Sequence, residues 1–225
     1  MRPLFAALVA FVPLALSGGE APGEESQKDA LAPGTYARLT TDEGEILIRL
    51  LSNDAPKTVR NFVELAKGQR PWKAPDGRWV AKPFYDGLVF FRIERDELIQ
   101  AGCPLGDGTA GPGYRLDPER PEKLRFDKPG VVAMEKADAE AHGSQFFIAV
   151  DALTLDAEDH TIFGQVVEGV AVARHISRRP ARRRAGRHLA TEPVVIRSVA
   201  IEEVAVPTEP PEDEPQGAQQ APASD

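Results

Sequence analysis

His142-Gly143-Ser144-Gln145-Phe146-Phe147-Ile148 is the run from which the rest of the chain is read. Side chains alternate across a strand, so it sends Gln145 and Phe147 to one face and Phe146 and Ile148 to the other. One face is expected in a core and the other at a surface. A glutamine beside a phenylalanine on an open sheet face makes a shallow apolar site with one orienting amide. That chemistry suits a peptide better than a charged metabolite. A second stretch upstream, Phe90-Phe91-Arg92-Ile93 followed by Leu98-Ile99-Gln100-Ala101-Gly102, strengthens the reading.

Outward from these runs the chain is rich in short strands. Tyr36–Thr40 and Glu45–Leu50 alternate as strands around the turn signal Asp42-Glu43-Gly44. Asn53-Asp54-Ala55-Pro56 is a capping segment for a helix that runs to Lys67 and stops at Gly68. Both tryptophans, Trp72 and Trp79, fall in Gln69–Lys82, whose Pro, Gly and charge suit an inserted surface loop or hairpin. Strands follow at Leu88–Ile93 and Glu97–Gly102. Gly106–Tyr114 is glycine-rich, but no helix opening with Gly-Lys-Ser/Thr follows, so a structured turn-rich loop is expected rather than a phosphate cradle. Gly130–Met134 and Thr161–Val167 are further strands, Val170–Ser177 a short second helix, and Val194–Val204 the last strand. Many short strands with two helices predict a mainly β fold, an antiparallel barrel whose closure removes exposed edges.

The chain has 225 residues, 42% hydrophobic and 28% charged, which suits one domain with a sizeable core. Arg2 and the apolar run Leu4–Leu16, with Ala15-Leu16-Ser17 as a cleavage site, read as a signal peptide over residues 1–17, with an uncleaved anchor as the alternative. The protein is therefore expected to be exported, to a periplasmic or extracellular location. Residues 18–33 read as a flexible linker, 34–206 as the folded domain, and 207–225 as a disordered acidic, Pro-rich tail. The formal charge of −8 resides largely in the linker and tail, which leaves the domain close to neutral. Cys103 is the sole cysteine, so no intramolecular disulfide can form. The four histidines lack metal-ligand spacing, and neither a metal nor a cofactor is expected.

Arg174, Arg178, Arg179, Arg182, Arg183, Arg184 and Arg187 follow one another with no acid among them. For an exported protein they predict a solvated basic loop that touches anionic membrane headgroups or the acidic tail, with no nucleic acid as partner.

Taken in order, "APKTVRNFVELAKG", "KPFYDGLVFFRI", "LIQAG", "PLGDGTAGPGY", "GVVAM", "GSQFFIAV" and "HTIFGQVVEG" resemble the cyclophilin family of peptidyl-prolyl isomerases, particularly its bacterial members. The likeness spans about Thr35 to Val204. It implies a closed eight-stranded antiparallel barrel with two capping helices and a proline site on its outside, acting on proline-containing polypeptides as a monomer. Residue by residue, Arg92 matches the catalytic arginine, Gln100 and Gln145 the substrate-orienting glutamines, and Phe147 the floor of the proline pocket. Leu98 stands where the family usually has methionine, and His160 at a pocket histidine, where it either packs beside Phe147 or caps a loop.

Departures from the family pattern gather near the site. Phe91 replaces the histidine before the arginine, and Glu94-Arg95-Asp96-Glu97-Leu98 replaces an apolar segment, so that Glu97 stands for a pocket phenylalanine. Glu135-Lys136 follows Met134 where Ala-Asn is usual. Glu97 either pairs with Arg92 or points to solvent. These residues leave open a non-catalytic module, a chaperone that binds proline peptides in the same groove.

Overall fold

The computed structural model of the chain describes residues 31–135, 143–155, 159–184 and 186–206. The signal segment, most of the linker, Lys136, His142 and the acidic tail lie outside the described residues.

The strands are β1 (Gly34–Thr41), β2 (Gly44–Leu50), β3 (Trp72–Lys73), β4 (Trp79–Val80), β5 (Val89–Glu94), β6 (Leu98–Ala101), β7 (Val131–Met134), β8 (Phe146–Ala149), β9 (Ile162–Glu168), β10 (Ala181–Arg184) and β11 (Arg187–Val204). Helices α1 (Pro56–Ala66) and α2 (Val170–Ser177) complete the elements. The strand order β1-β2-β9-β7-β8-β6-β5-β11 returns to its start because β11 also pairs with β1. This is the closed eight-stranded antiparallel barrel with two helices that the sequence leads one to expect. β10 hangs on β11 outside the ring, and β3 and β4 form a separate small hairpin at the inserted Trp segment.

The first hairpin forms where the turn signal lies. Thr41 stands opposite Gly44, and its hydroxyl donates to the Gly44 carbonyl at 2.7 Å and accepts from the Glu43 N–H at 3.1 Å. The cap of α1 differs from the expectation. Ala55 occupies the N-cap and no local side chain caps the helix. The Glu119 carboxylate does so instead, accepting from the Lys57 N–H at 3.1 Å and the Thr58 N–H at 2.8 Å. A negative group there also meets the positive end of the helix dipole.

The barrel interior holds Phe146 and Ile148 of the opening run with Phe62 and Leu65 of α1, Ala173 and Ile176 of α2, Tyr85 and Phe163. Phe62 stacks on Tyr85 at 4.7 Å and meets Phe146 edge-on at 5.6 Å. The alternate residues face outward into a second cluster of Leu98, Phe126, Val131, Ala133, Phe147, Ala149 and Ile162. The expected alternation is therefore present, but the outer face is not open at Phe147, which is 1% exposed. Phe126 stacks on it at 5.6 Å.

The arginine-rich stretch is not a loop. β10 pairs antiparallel with the start of β11, with Arg183 opposite His188 and Arg184 opposite Arg187. Gly186, at φ 80°, supplies the left-handed position the turn needs. β11 thus begins at Arg187 rather than Val194, and runs through Pro193 where its register against β5 shifts between Leu189 and Val194. Such an irregularity is where a strand tolerates a residue that cannot donate to the ladder. Acids from elsewhere in the fold partner the preceding arginines: Arg174 with Asp151, Arg178 with Asp96, and Arg179 with Glu43 and Glu192.

Candidate active site

Register assembles the site. Arg92 on β5 stands opposite Gln100 on β6, Gln100 opposite Phe147 on β8, and Phe147 opposite Ala133 on β7. Directly opposed residues share a face, so a cation, an amide and an aromatic ring form one row across the outside of the barrel. Leu98, two residues before Gln100, lies on the same face.

Hydrogen bonds then lock the polar half of the row. The Gln100 Oε1 accepts from Arg92 Nη1 at 3.1 Å, and Gln100 Nε2 donates to Gln145 Oε1 at 2.9 Å. Gln145 Nε2 donates in turn to the carbonyls of Ala110 at 2.7 Å and Gly108 at 3.1 Å. Both glutamines are 0% exposed, and their amides are engaged within the protein. They orient Arg92 and the glycine-rich loop. A buried chain in which each donor meets an acceptor holds its end group in one geometry.

Asn61 of α1 ties the loop to the opening run. Its Nδ2 donates to the Gly143 carbonyl at 2.6 Å, and its Oδ1 accepts from the Tyr114 hydroxyl at 2.7 Å. The Trp hairpin secures the other side through the Lys73 N–H, which donates to the Pro112 carbonyl at 2.9 Å.

Arg92 is half-buried between carboxylates. Its Nε donates to Glu94 Oε1 at 3.0 Å, and Nη1 lies 3.6 Å from Glu135 Oε2. Among the described residues Nη2 makes no hydrogen bond. The carboxylate partner on this strand is therefore Glu94. Glu97 is exposed past the turn at Arg95-Asp96, where Asp96 adopts a φ of 59°. Glu97, Arg92, Leu98, Leu153 and Leu155 line a cleft of about 380 Å³.

The remaining expected residues sit apart from that cleft. His160 is half-buried, with its ring perpendicular to Phe147 at 5.3 Å and Nδ1 3.2 Å from the Met134 carbonyl. It packs beside Phe147. The structure thus brings together Arg92, Leu98, Gln100 and Gln145, while Phe147 and His160 form a covered aromatic cluster with Phe126.

A model of the family described as cyclophilin type peptidyl-prolyl cis-trans isomerase/CLD matches residues 36–201. Peptidyl-prolyl cis-trans isomerase B of Streptomyces anulatus is 46% identical over 175 residues, which cover 76% of this chain and 99% of that protein. The chain belongs to the cyclophilin-type peptidyl-prolyl cis-trans isomerases. Peptidyl-prolyl cis-trans isomerase A of Mycobacterium tuberculosis is 42% identical over 168 residues, 73% of this cyclophilin and 91% of the relative. The fold also matches a crystal structure of a cyclophilin type isomerase of Cryptosporidium parvum. That match has a TM-score of 0.61 and 23% identity, and covers 75% of this chain and 99% of the other.

Four further residues take part in this cyclophilin's site: Glu94, Phe126, Gly108 and Ala110. Glu94 was legible, since two residues past Arg92 on a strand means the same face. Phe126 and the carbonyls of Gly108 and Ala110 come from irregular segments whose pattern carries no such signal.

Proposed function

We propose that this cyclophilin accelerates cis/trans isomerisation of Xaa-Pro bonds in proteins that fold outside the cytoplasm, with Arg92 as the electrostatic catalyst. Breaking amide resonance costs about 18 to 20 kcal/mol, and the reaction needs neither a nucleophile nor a cofactor. A permanently charged guanidinium can donate to the prolyl nitrogen as its lone pair localises. The observation that carries the reading is the Arg92-Gln100-Gln145 chain, which fixes the cation beside the apolar wall of Leu98, Leu153 and Leu155 and leaves Nη2 uncommitted among the described residues. Leu98 would hold the proline ring, and Gln100 and Gln145 act on substrate through Arg92. Phe147 and His160 would back that wall. The Cryptosporidium parvum structure was determined in the presence of the dipeptide Ala-Pro, in keeping with a proline peptide as ligand. The basic and apolar start of the chain supports export, and a monomer is the expected form.

The test is the relaxation rate of a proline peptide after a cis/trans jump, with and without the protein. Acceleration is expected. Saturable peptide binding without acceleration would instead favour the non-catalytic groove, a reading that the carboxylates of Glu94 and Glu135 around Arg92 support.

The hairpin of β10 and β11 supports a second contact. Arg182, Arg183 and Arg184 are exposed, and no ion pair among the described residues engages them. In this proposal they touch anionic membrane surfaces, at about 1 kcal/mol for each basic residue near the headgroups. Binding to phosphatidylserine vesicles should weaken with salt and be lost on reversing these three charges. Unchanged binding by the reversed variant would remove the proposal.

A further inference from the structure

The Arg92 guanidinium is held by a carboxylate that is itself held by an imidazole. Glu94 Oε1 accepts from Arg92 Nε at 3.0 Å, while its Oε2 lies 2.5 Å from His188 Nδ1. Strand pairing explains the meeting. Leu189 on β11 stands opposite Arg92 on β5, which brings the adjoining His188 level with Ile93 and within reach of the next residue, Glu94. The Glu94 side chain is 16% exposed and that of His188 48%, so solvent protons reach the ring more readily than the carboxylate.

We propose that Glu94 and His188 form a positioning pair for Arg92, in which the charge on His188 sets how much of the Glu94 charge falls on the guanidinium. The inference rests on Arg92 being the catalytic cation. With His188 protonated, the carboxylate is shared between two cations and the Nη2 edge of Arg92 presents a less compensated positive charge. With His188 neutral, Glu94 acts on Arg92 alone, and the ring keeps its hydrogen bond only as the Nδ1–H tautomer. The twisted prolyl amide is better stabilised in the first state.

Glu94 stays ionised throughout. Burial alone would push its pKa up, but the hydrogen bonds and charges of His188 and Arg92 outweigh this and hold it below the ordinary carboxylate value. Histidine is the side chain that changes charge between about pH 5 and 8. The other charged groups around the ring are Arg183, its cross-strand partner on β10, and Arg95, Glu97, Arg178 and Arg179, which border the cleft of about 550 Å³ that His188 shares with Glu94. His188 is the sole imidazole among them.

The test follows kcat and KM for a proline peptide from about pH 5.5 to about pH 8, across the imidazole window. For the unaltered protein kcat/KM should be about threefold higher at the acid end, the size expected for one partly exposed ion pair. His188→Asn keeps a neutral donor near the Nδ1 position and should flatten the profile. Glu94→Gln, which keeps an acceptor for Arg92 without the charge, should flatten it too. Glu94→Ala removes the acceptor and should lower kcat about tenfold with KM little changed, as for a mispositioned catalytic group. Profiles of the unaltered protein and His188→Asn that superimpose would overturn the proposal. Failure of the underlying reading has a different signature: Arg92→Ala would then retain activity at every pH.

Discussion

Replacing Arg92 with alanine is expected to lower kcat/KM by about 100-fold or more, the usual cost of removing one preorganised donor from a site where charge develops. The loss should appear mainly in kcat, because the apolar wall of Leu98, Leu153 and Leu155 that would hold the proline ring is untouched. Arg92→Lys should recover little. An ammonium is a point donor on a flexible stem, and it cannot meet Glu94 through one nitrogen and Gln100 through another while keeping a third uncommitted among the described residues, as the guanidinium fork does. The measurement is the catalysed relaxation of a proline peptide, with near-ultraviolet circular dichroism to confirm that the aromatic core is intact. If Arg92→Ala relaxes the peptide as fast as the unaltered protein, the catalysis does not pass through this guanidinium.

The same geometry shows why some of the site could be read from the sequence and some could not. Gln145, Phe146, Phe147 and Ile148 declare their faces because a strand alternates with a period of two, and the two hydrophobic clusters divide them accordingly. Barrel closure, by contrast, depends on Gly34 meeting Val204 across most of the chain, a pairing to which no local pattern points. The cap of α1 has the same character, since Glu119 reaches Thr58 from 61 residues away. The cover over Phe147 comes from Phe126, in a segment without regular structure. The arginine hairpin departs from the expected loop for a different reason. Three consecutive arginines and Pro193 resemble loop composition, yet charged residues are well suited to the unpaired edge of an outer strand, where they discourage association with another sheet.

The row from Arg92 to Gln145 also depends on a backbone contact that contains no functional side chain. Gly102 follows β6 with a φ of +88°, and a methyl group placed there would lie 2.1 Å from the Ser144 carbonyl oxygen and 2.9 Å from the Gln145 Cα. Both neighbours are backbone, so neither can rotate away. Ser144 is fixed as well, because its hydroxyl donates to the Gly102 carbonyl at 2.8 Å and its own carbonyl accepts from the Tyr85 hydroxyl at 3.3 Å. Gly102→Ala should therefore cost about 3 kcal/mol, combining about 1 to 2 kcal/mol for a left-handed non-glycine residue with a comparable overpacking cost. For a chain of this size that corresponds to a fall of about 10 °C in Tm. Gly77→Ala is the matched control: its φ is +84°, but nothing lies within 4 Å of the added carbon, so it bears the backbone cost alone. Displacing the Ser144–Gln145 backbone should also move Gln145 Oε1 from Gln100 and so loosen Arg92, lowering kcat at temperatures where the variant remains folded. Equal Tm values for the two alanine variants would show that the Ser144–Gln145 backbone has room to retreat, and that its close approach to Gly102 is not what holds the glutamine pair beside Arg92.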